Sequence, residues 1–171
     1  MTHRLAGLAL FFLAWALACA RGTPAAADLP TADALIQPYV PVHFGEPIEA
    51  TRKALPGLVA SGWQEGTRAT WIDPGREAGL EVETDGGRVR AVALTFGPER
   101  AQVVEADVGS RLGPGVACAA LPEGVSSFRP TLWRSGDGAA VSLVRKQRIV
   151  EFSVERPATR AFEEAWASCG R

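Results

Sequence analysis

The chain has 171 residues and a formal net charge of −1, from 18 Lys and Arg against 19 Asp and Glu. That balance argues against a nucleic-acid binder, which needs a strong basic excess to neutralise phosphates. With 47 % apolar residues the chain can bury a core, and its length suits one domain or two small fused modules.

The opening stretch, MTHRLAGLALFFLAWALACARGTPAAADLP, reads as an export signal. His3 and Arg4 form a basic head. Leu5 to Ala18 is an uncharged apolar run, shorter than the roughly 20 residues a spanning helix requires. Residues 1–19 are assigned to this signal peptide, whose exit has two readings. ALAC, Ala16 to Cys19, resembles the lipobox of bacterial lipoproteins, in which the Cys becomes the lipidated first residue. That family prefers Leu three before the Cys and a small residue two before it, where this chain has Ala16 and Leu17. The resemblance implies lipidation of Cys19 and membrane attachment through it. Ala20 is not the Asp that marks many such lipoproteins for the inner membrane, so the outer membrane is the implied anchorage. The alternative is ordinary cleavage after Ala25, Ala26 and Ala27, which leaves Asp28 first. Both exits lead to the periplasmic side of a cell envelope or beyond. Lys occurs only at 53 and 146 beside abundant Arg, Ala and Gly, the usage of a GC-rich bacterial genome. No later apolar run is long enough to span a membrane.

Residues 20–37, small, polar and Pro-bearing, read as a tether. Two modules are expected after it, one over 38–97 and one over 98–171. VHFGEPIEA at 42–50 and LTFGPERAQ at 94–102 share a pattern: a strand ends in Phe-Gly, then a Pro and an acidic residue open a helix. Pro fits a first helical turn, and Glu46 or Glu99 there complements the helix dipole. The spacing predicts one helix through Ile48, Thr51 and Leu55 and another through Val104, Val108 and Leu112, each closed by Gly and Pro.

Residues 70–96, TWIDPGREAGLEVETDGGRVRAVALTF, and 131–154, TLWRSGDGAAVSLVRKQRIVEFSV, have the same cadence of apolar runs and turns. Aligning Leu80 with Val141 and Val82 with Leu143 places Val89, Val92 and Leu94 on Ile149, Phe152 and Val154. Val92, Leu94 and Phe96, like Val150, Phe152 and Val154, alternate as half-buried antiparallel strands do. TDGG and RKQR read as hairpin turns. SVERPATRAFEEAWASCG leads into a last helix with Ala161, Phe162, Ala165 and Trp166 as its apolar stripe. The expected fold is α+β: a tandem αβββ repeat forming an antiparallel sheet, helices on one face, and a C-terminal helix.

This element order, with Phe-Gly helix openings and Gly-Pro stops over about residues 40–155, resembles a group of small envelope proteins. It includes the SmpA/OmlA-type outer-membrane assembly lipoproteins and, in tandem form, the β-lactamase inhibitor proteins. The single module implies a role in membrane assembly, and the tandem form implies an enzyme held on a concave sheet; fold alone carries function weakly.

The chain has three Cys. With Cys19 in the signal or lipidated, Cys118 and Cys169 remain, and in an oxidising compartment they most simply form one disulfide. Such a crosslink stabilises by about 4 kcal/mol in the loop-entropy description. A zinc pair or a redox motif would want more His or a C-x-x-C, and only His43 remains.

No catalytic constellation is assembled by the sequence. VGSRLG has the wrong spacing for a nucleophile elbow. His43, Glu46 and Glu49 could ligate a metal, but Glu in a first helical turn has a simpler reason to be there. Glu81 and Glu83 share one strand face with the look of a solvated surface. No cofactor or metal is expected. Surface character carries more. The first hairpin is acidic (Asp73, Glu77, Glu81, Glu83, Asp85) and the second basic (Arg134, Arg145, Lys146, Arg148), a split that suits docking against charged patches. Arg129, Thr131, Trp133, Arg145, Lys146, Arg148 and Glu151 are the candidate interface on an open sheet face, since aromatics and Arg among polar residues are favoured at interfaces. The expectation is a non-catalytic envelope protein that binds a protein partner and no nucleic acid. The alternatives are an exported enzyme inhibitor and a small ligand carrier or hydrolase.

Overall fold

A computed structural model describes residues 29–60, 68–73, 78–118, 130–146 and 149–170, with the backbone alone at 59, 60, 71–73 and 98. Four helices lie among them: α1 (Ala32–Ile36), α2 (Ile48–Ala54), α3 (Pro98–Leu112) and α4 (Arg160–Cys169). The strands are β1 (Val59–Ala60), β2 (Arg68–Asp73), β3 (Ala78–Asp85), β4 (Arg88–Phe96), β5 (Val116–Ala117), β6 (Pro130–Arg134), β7 (Ala140–Lys146) and β8 (Ile149–Glu155). They form one sheet in the order β1-β2-β3-β4-β8-β7-β6-β5, with every neighbouring pair antiparallel. The α+β class is as expected. Each half of the chain lays down a meander of four strands, and the last strand of each, β4 and β8, meet at the centre. Among the described residues no helix is long and apolar enough to cross a membrane.

The alternating runs set the register. Leu80 faces Leu94 and Val82 faces Val92 in the first long hairpin, while Val141 faces Val154 and Leu143 faces Phe152 in the second. These are the positions that the two aligned stretches bring into correspondence. Between β3 and β4, Gly86 and Gly87 turn the chain with φ of 55° and 76°, left-handed values that favour glycine and that a tight hairpin turn requires. On β4, Glu83 faces Ala91 but Thr84 faces Val89, so Arg90 is the extra residue of a bulge.

Side chains directly opposite one another share a face. Val82, Val92, Val154, Val141 and Trp133 form one buried row, and Leu80, Leu94, Phe152 and Leu143 form the next. α1 and α3 cover these rows with Ala32, Leu35 and Ile36 and with Ala101, Val104, Val108 and Leu112. α3 begins with Pro98 behind Gly97 and is closed by Gly113. α2 lies at the β3–β4 turn, where the Ile48 N–H donates to the Gly87 carbonyl at 3.0 Å.

α1 corrects the tether boundary at 37. Thr31 caps it, accepting from the Ala34 N–H, and Ala32, Leu35 and Ile36 are fully buried. The segment from Thr31 on belongs to the core. Tyr39 joins it to α3: its hydroxyl donates to Asp107 at 2.6 Å, and its ring packs on Phe96 and Phe152. Burial first, then the hydrogen bond and charge of Asp107, hold that hydroxyl protonated well above the usual tyrosine range. At the other end of α1, Asp137 of the β6–β7 turn accepts from the Ala32 N–H at 3.0 Å, and Arg156 lies 3.3 Å from its carboxylate.

α4 lies on the opposite side of the sheet. Phe162 and Ala165 cover Leu132, Ala140 and Cys118, with Trp166 and Cys169 beside them. Cys118 and Cys169 form the expected disulfide, with Cα atoms 5.1 Å apart. The reading of the opposite face as open is therefore corrected at one end. The cause is local. Leu132 and Trp133 are adjacent on β6 and must point to opposite faces, so each face needs an apolar cover there.

Candidate functional site

Beyond α4, the outer face of the sheet is built from small and polar side chains. Arg68, Glu83, Ala91, Glu155, Ala140 and Arg134 form one row across six strands. Glu81, Ala93, Ser153, Ser142 and Leu132 form the next, and Thr95, Glu151 and Val144 a third. Among the described residues α4 covers the β5–β7 end of these rows, and no helix covers β3, β4 and β8 from this side.

Among the described residues this face holds two neighbouring hollows, one on the bare sheet and one at the edge of α4. The first, of about 170 Å³, has Ala91, Ala93 and Ser153 in its floor and four carboxylates around it, from Glu81, Glu83, Glu151 and Glu155. The second, of about 310 Å³, lies between α4 and strands β6 to β8. Its lining includes Leu132, Val144, Phe162 and Ala165 together with Lys146, Glu151 and Glu155. Glu151 and Glu155 line both.

The carboxylates differ in their partners. Arg68 lies 3.1 Å from Glu81 and 2.5 Å from Glu83, and Arg90 reaches Glu83 at 2.5 Å from the bulge. The hydrogen bond to Glu83, then the charge of Glu81, raises the Arg68 guanidinium above its ordinary value. Lys146 pairs with Glu151 at 2.5 Å. Glu155 differs: its Oε2 is buried and has no hydrogen-bond partner among the described residues. Ser142 and Ser153 bond each other at 2.7 Å across β7 and β8.

The structure divides the candidate interface residues. Lys146 and Glu151 lie on this face and pair with each other. Thr131 and Trp133 lie opposite Leu143 and Val141, on the helix-covered side. Trp133 is only 6 % exposed, and its indole N–H donates to the Gly113 carbonyl at 2.9 Å, so it is a core residue and not an interface residue. Arg145 also points to the helix side, where it pairs with Glu105 of α3. Arg129 and Arg148 lie outside the described residues. Thr131, Trp133 and Arg145 are thus corrected: β6 and β7 alternate in the register that places Leu132 and Ser142 outward.

Part of the acidic-to-basic contrast between the hairpins is paired within the molecule. Glu81 and Glu83 are matched by cations of their own half, and Arg134 is bound to Glu163 of α4 with its guanidinium 5.4 Å from the Phe162 and Trp166 rings. Glu155 was absent from the candidates although the period-two run Glu151, Ser153, Glu155 points it outward.

His43 sits beside Gln37 and Asp33, at 3.5 Å and 3.9 Å, while Glu49 pairs with Arg52. Among the described residues no three His, Cys, Asp or Glu side chains are grouped to hold a metal. Ser110 donates to the Asp107 carbonyl within α3. The described linings of the two hollows include neither His nor Cys. The arrangement is suited to binding: an acidic recess with a small-residue floor beside a recess with apolar walls. Comparison of the chain with protein-family models, with curated proteins and with solved structures gives no match.

Proposed function

We propose that this is an exported, non-catalytic protein of the cell envelope, held at the outer membrane by lipid on Cys19, that binds another protein through the bare part of its outer sheet face. The observation that carries this reading is the contrast within one face. A closed domain covers apolar strand faces and leaves polar ones to water, yet here a hollow in the polar strip neighbours one with an apolar wall beneath α4, and the two share Glu155, whose buried carboxylate oxygen has no donor among the described residues. The leader sequence and the disulfide support an oxidising destination. The matched registers of the two hairpins, and the meeting of β4 with β8, support an origin by duplication of one helix-plus-meander module.

Two experiments test this reading. Cells expressing the full chain should incorporate labelled palmitate, and Cys19→Ala should abolish the label; unchanged labelling rejects the anchor. Affinity capture from the envelope should recover a protein partner with the wild-type mature chain and lose it with Ala93→Trp, which fills the floor of the acidic hollow. Equal recovery by a folded Ala93→Trp variant rejects the face.

A further inference from the structure

We propose that the two neighbouring hollows, which share Glu151 and Glu155, receive a segment of the partner protein that carries a cationic side chain next to an apolar one, the cation seated against Glu155 and the apolar group under α4. This rests on the docking reading above and adds the chemistry of the occupant.

Charge selects the first group. Four carboxylates line the acidic hollow, and three of them, Glu81, Glu83 and Glu151, already have cationic partners within 3.1 Å. Glu155 is the unmatched one, and its buried Oε2 lacks a donor among the described residues. A buried acceptor left without a donor is unfavourable, and an incoming ammonium or guanidinium N–H would satisfy it with a charge-assisted bond. Four carboxylates against Arg68, Arg90 and Lys146 leave one negative charge unmatched, that of Glu155, which favours a cation over an anion. The volume agrees: about 170 Å³ is available, and a cavity of roughly 150 Å³ accepts a benzene ring.

The second group follows from the neighbouring hollow. Its apolar wall is made by Leu132 and Val144 of the sheet and Phe162 and Ala165 of α4. Since Glu151 and Glu155 border both hollows, the cation and the apolar group sit side by side and come from one segment. Neither hollow alone specifies this pairing; the shared wall does.

The test uses the mature protein, isotope-labelled for NMR, and short blocked peptides of alternating Arg and Leu, Gln and Leu, or Arg and Ser. The Arg-Leu peptide should bind roughly tenfold or more tightly than either of the others and shift the amides of Ala93, Ser153, Glu155 and Phe162. Glu155→Gln should remove most of that advantage over the Gln-Leu peptide while leaving the melting temperature and the spectrum of the core unchanged. Equal binding of the Gln-Leu peptide, shifts confined to other surfaces, or a free alkylamine binding as tightly as the Arg-Leu peptide would each overturn the proposal. If the peptides fail but Ala93→Trp still abolishes envelope capture, the docking face stands and the cationic-apolar occupant falls. If capture also survives Ala93→Trp, both fall.

Discussion

The two ends of the outer sheet face have different fates, and a few residues decide between them. At the β5–β7 end, Leu132 and Ala140 face outward and demand cover. α4 supplies it, held by apolar contact, by Arg134 against Glu163, Phe162 and Trp166, and by the Cys118–Cys169 crosslink. At the β3–β4–β8 end the same rows continue as Glu81, Ala93, Ser153 and Glu155, with no apolar side chain large enough to call for a helix. The lesson is that cover is allotted strand by strand according to which side chains alternation sends outward. The apolar-walled hollow lies at the boundary because a helix laid on part of a sheet leaves a step at its edge, and the acidic hollow lies beside it on the bare strands.

If both halves share one core on the inner face, its central residue should matter to both. Phe152 is fully buried on β8 beneath Tyr39, so Phe152→Ala should cost about 3–5 kcal/mol in denaturant unfolding. A loss below about 1 kcal/mol would break the picture of a common core. The crosslink sharpens the contrast between the ends. Replacing both Cys118 and Cys169 by Ser should cost about 4 kcal/mol. Hydrogen exchange should then quicken in α4 and β6 well before β3 and β4, and uniform loss of protection would contradict the division.

A smaller effect is expected at Gly115. A Cβ there would fall 2.4 Å from Thr131 Cγ2 and from Trp133 Cε2, so Gly115→Ala should cost about 1–3 kcal/mol and disturb the Trp133 environment. An unchanged melting temperature would mean that β6 yields more readily than its packing implies.

The smallest expected effect is at Asp137, which fastens α1 to the β6–β7 turn. Burial would raise its pKa, but the Ser135 hydroxyl, the Ala32 N–H and the Arg156 guanidinium outweigh it and hold the carboxyl below its ordinary range. A lowered folded pKa stabilises above the unfolded value of about 3.9, and that contribution is lost as pH falls through the folded value. Acid titration of stability should therefore show a steeper fall below about pH 4 in the wild type than in Asp137→Asn. Parallel curves would remove the carboxylate from that role.

Much of the architecture was legible because it rests on local signals. Pro98 behind Gly97, the stripe of Val104, Val108 and Leu112, and the alternation along β3, β4, β7 and β8 each need only a short window. α1 was hidden because five residues in an Ala- and Pro-rich stretch cannot display a period; its place is set by partners distant in the chain, the core rows it covers and the contacts with Asp137 and Arg111. The direction of Trp133 was undecided by its neighbours, since Leu132 is equally apolar, and was settled by which helix covers which face. Arg145 looked available because its partner, Glu105, lies on a different element. The candidate site was legible only in part: alternation alone gives Glu151 and the small residues near it, while the lone state of Glu155 emerges only once Arg68, Arg90 and Lys146 have found their partners.

The central claim, that this protein docks through the bare strip of the outer face, is tested most directly by placing a photo-crosslinking side chain at either of two positions in the native envelope. Position 93 lies in the strip, and position 103, where Val103 is 68 % exposed, lies on α3 across the sheet. A partner adduct at 93 and none at 103 is the result expected; an adduct at 103 with none at 93 would contradict the account.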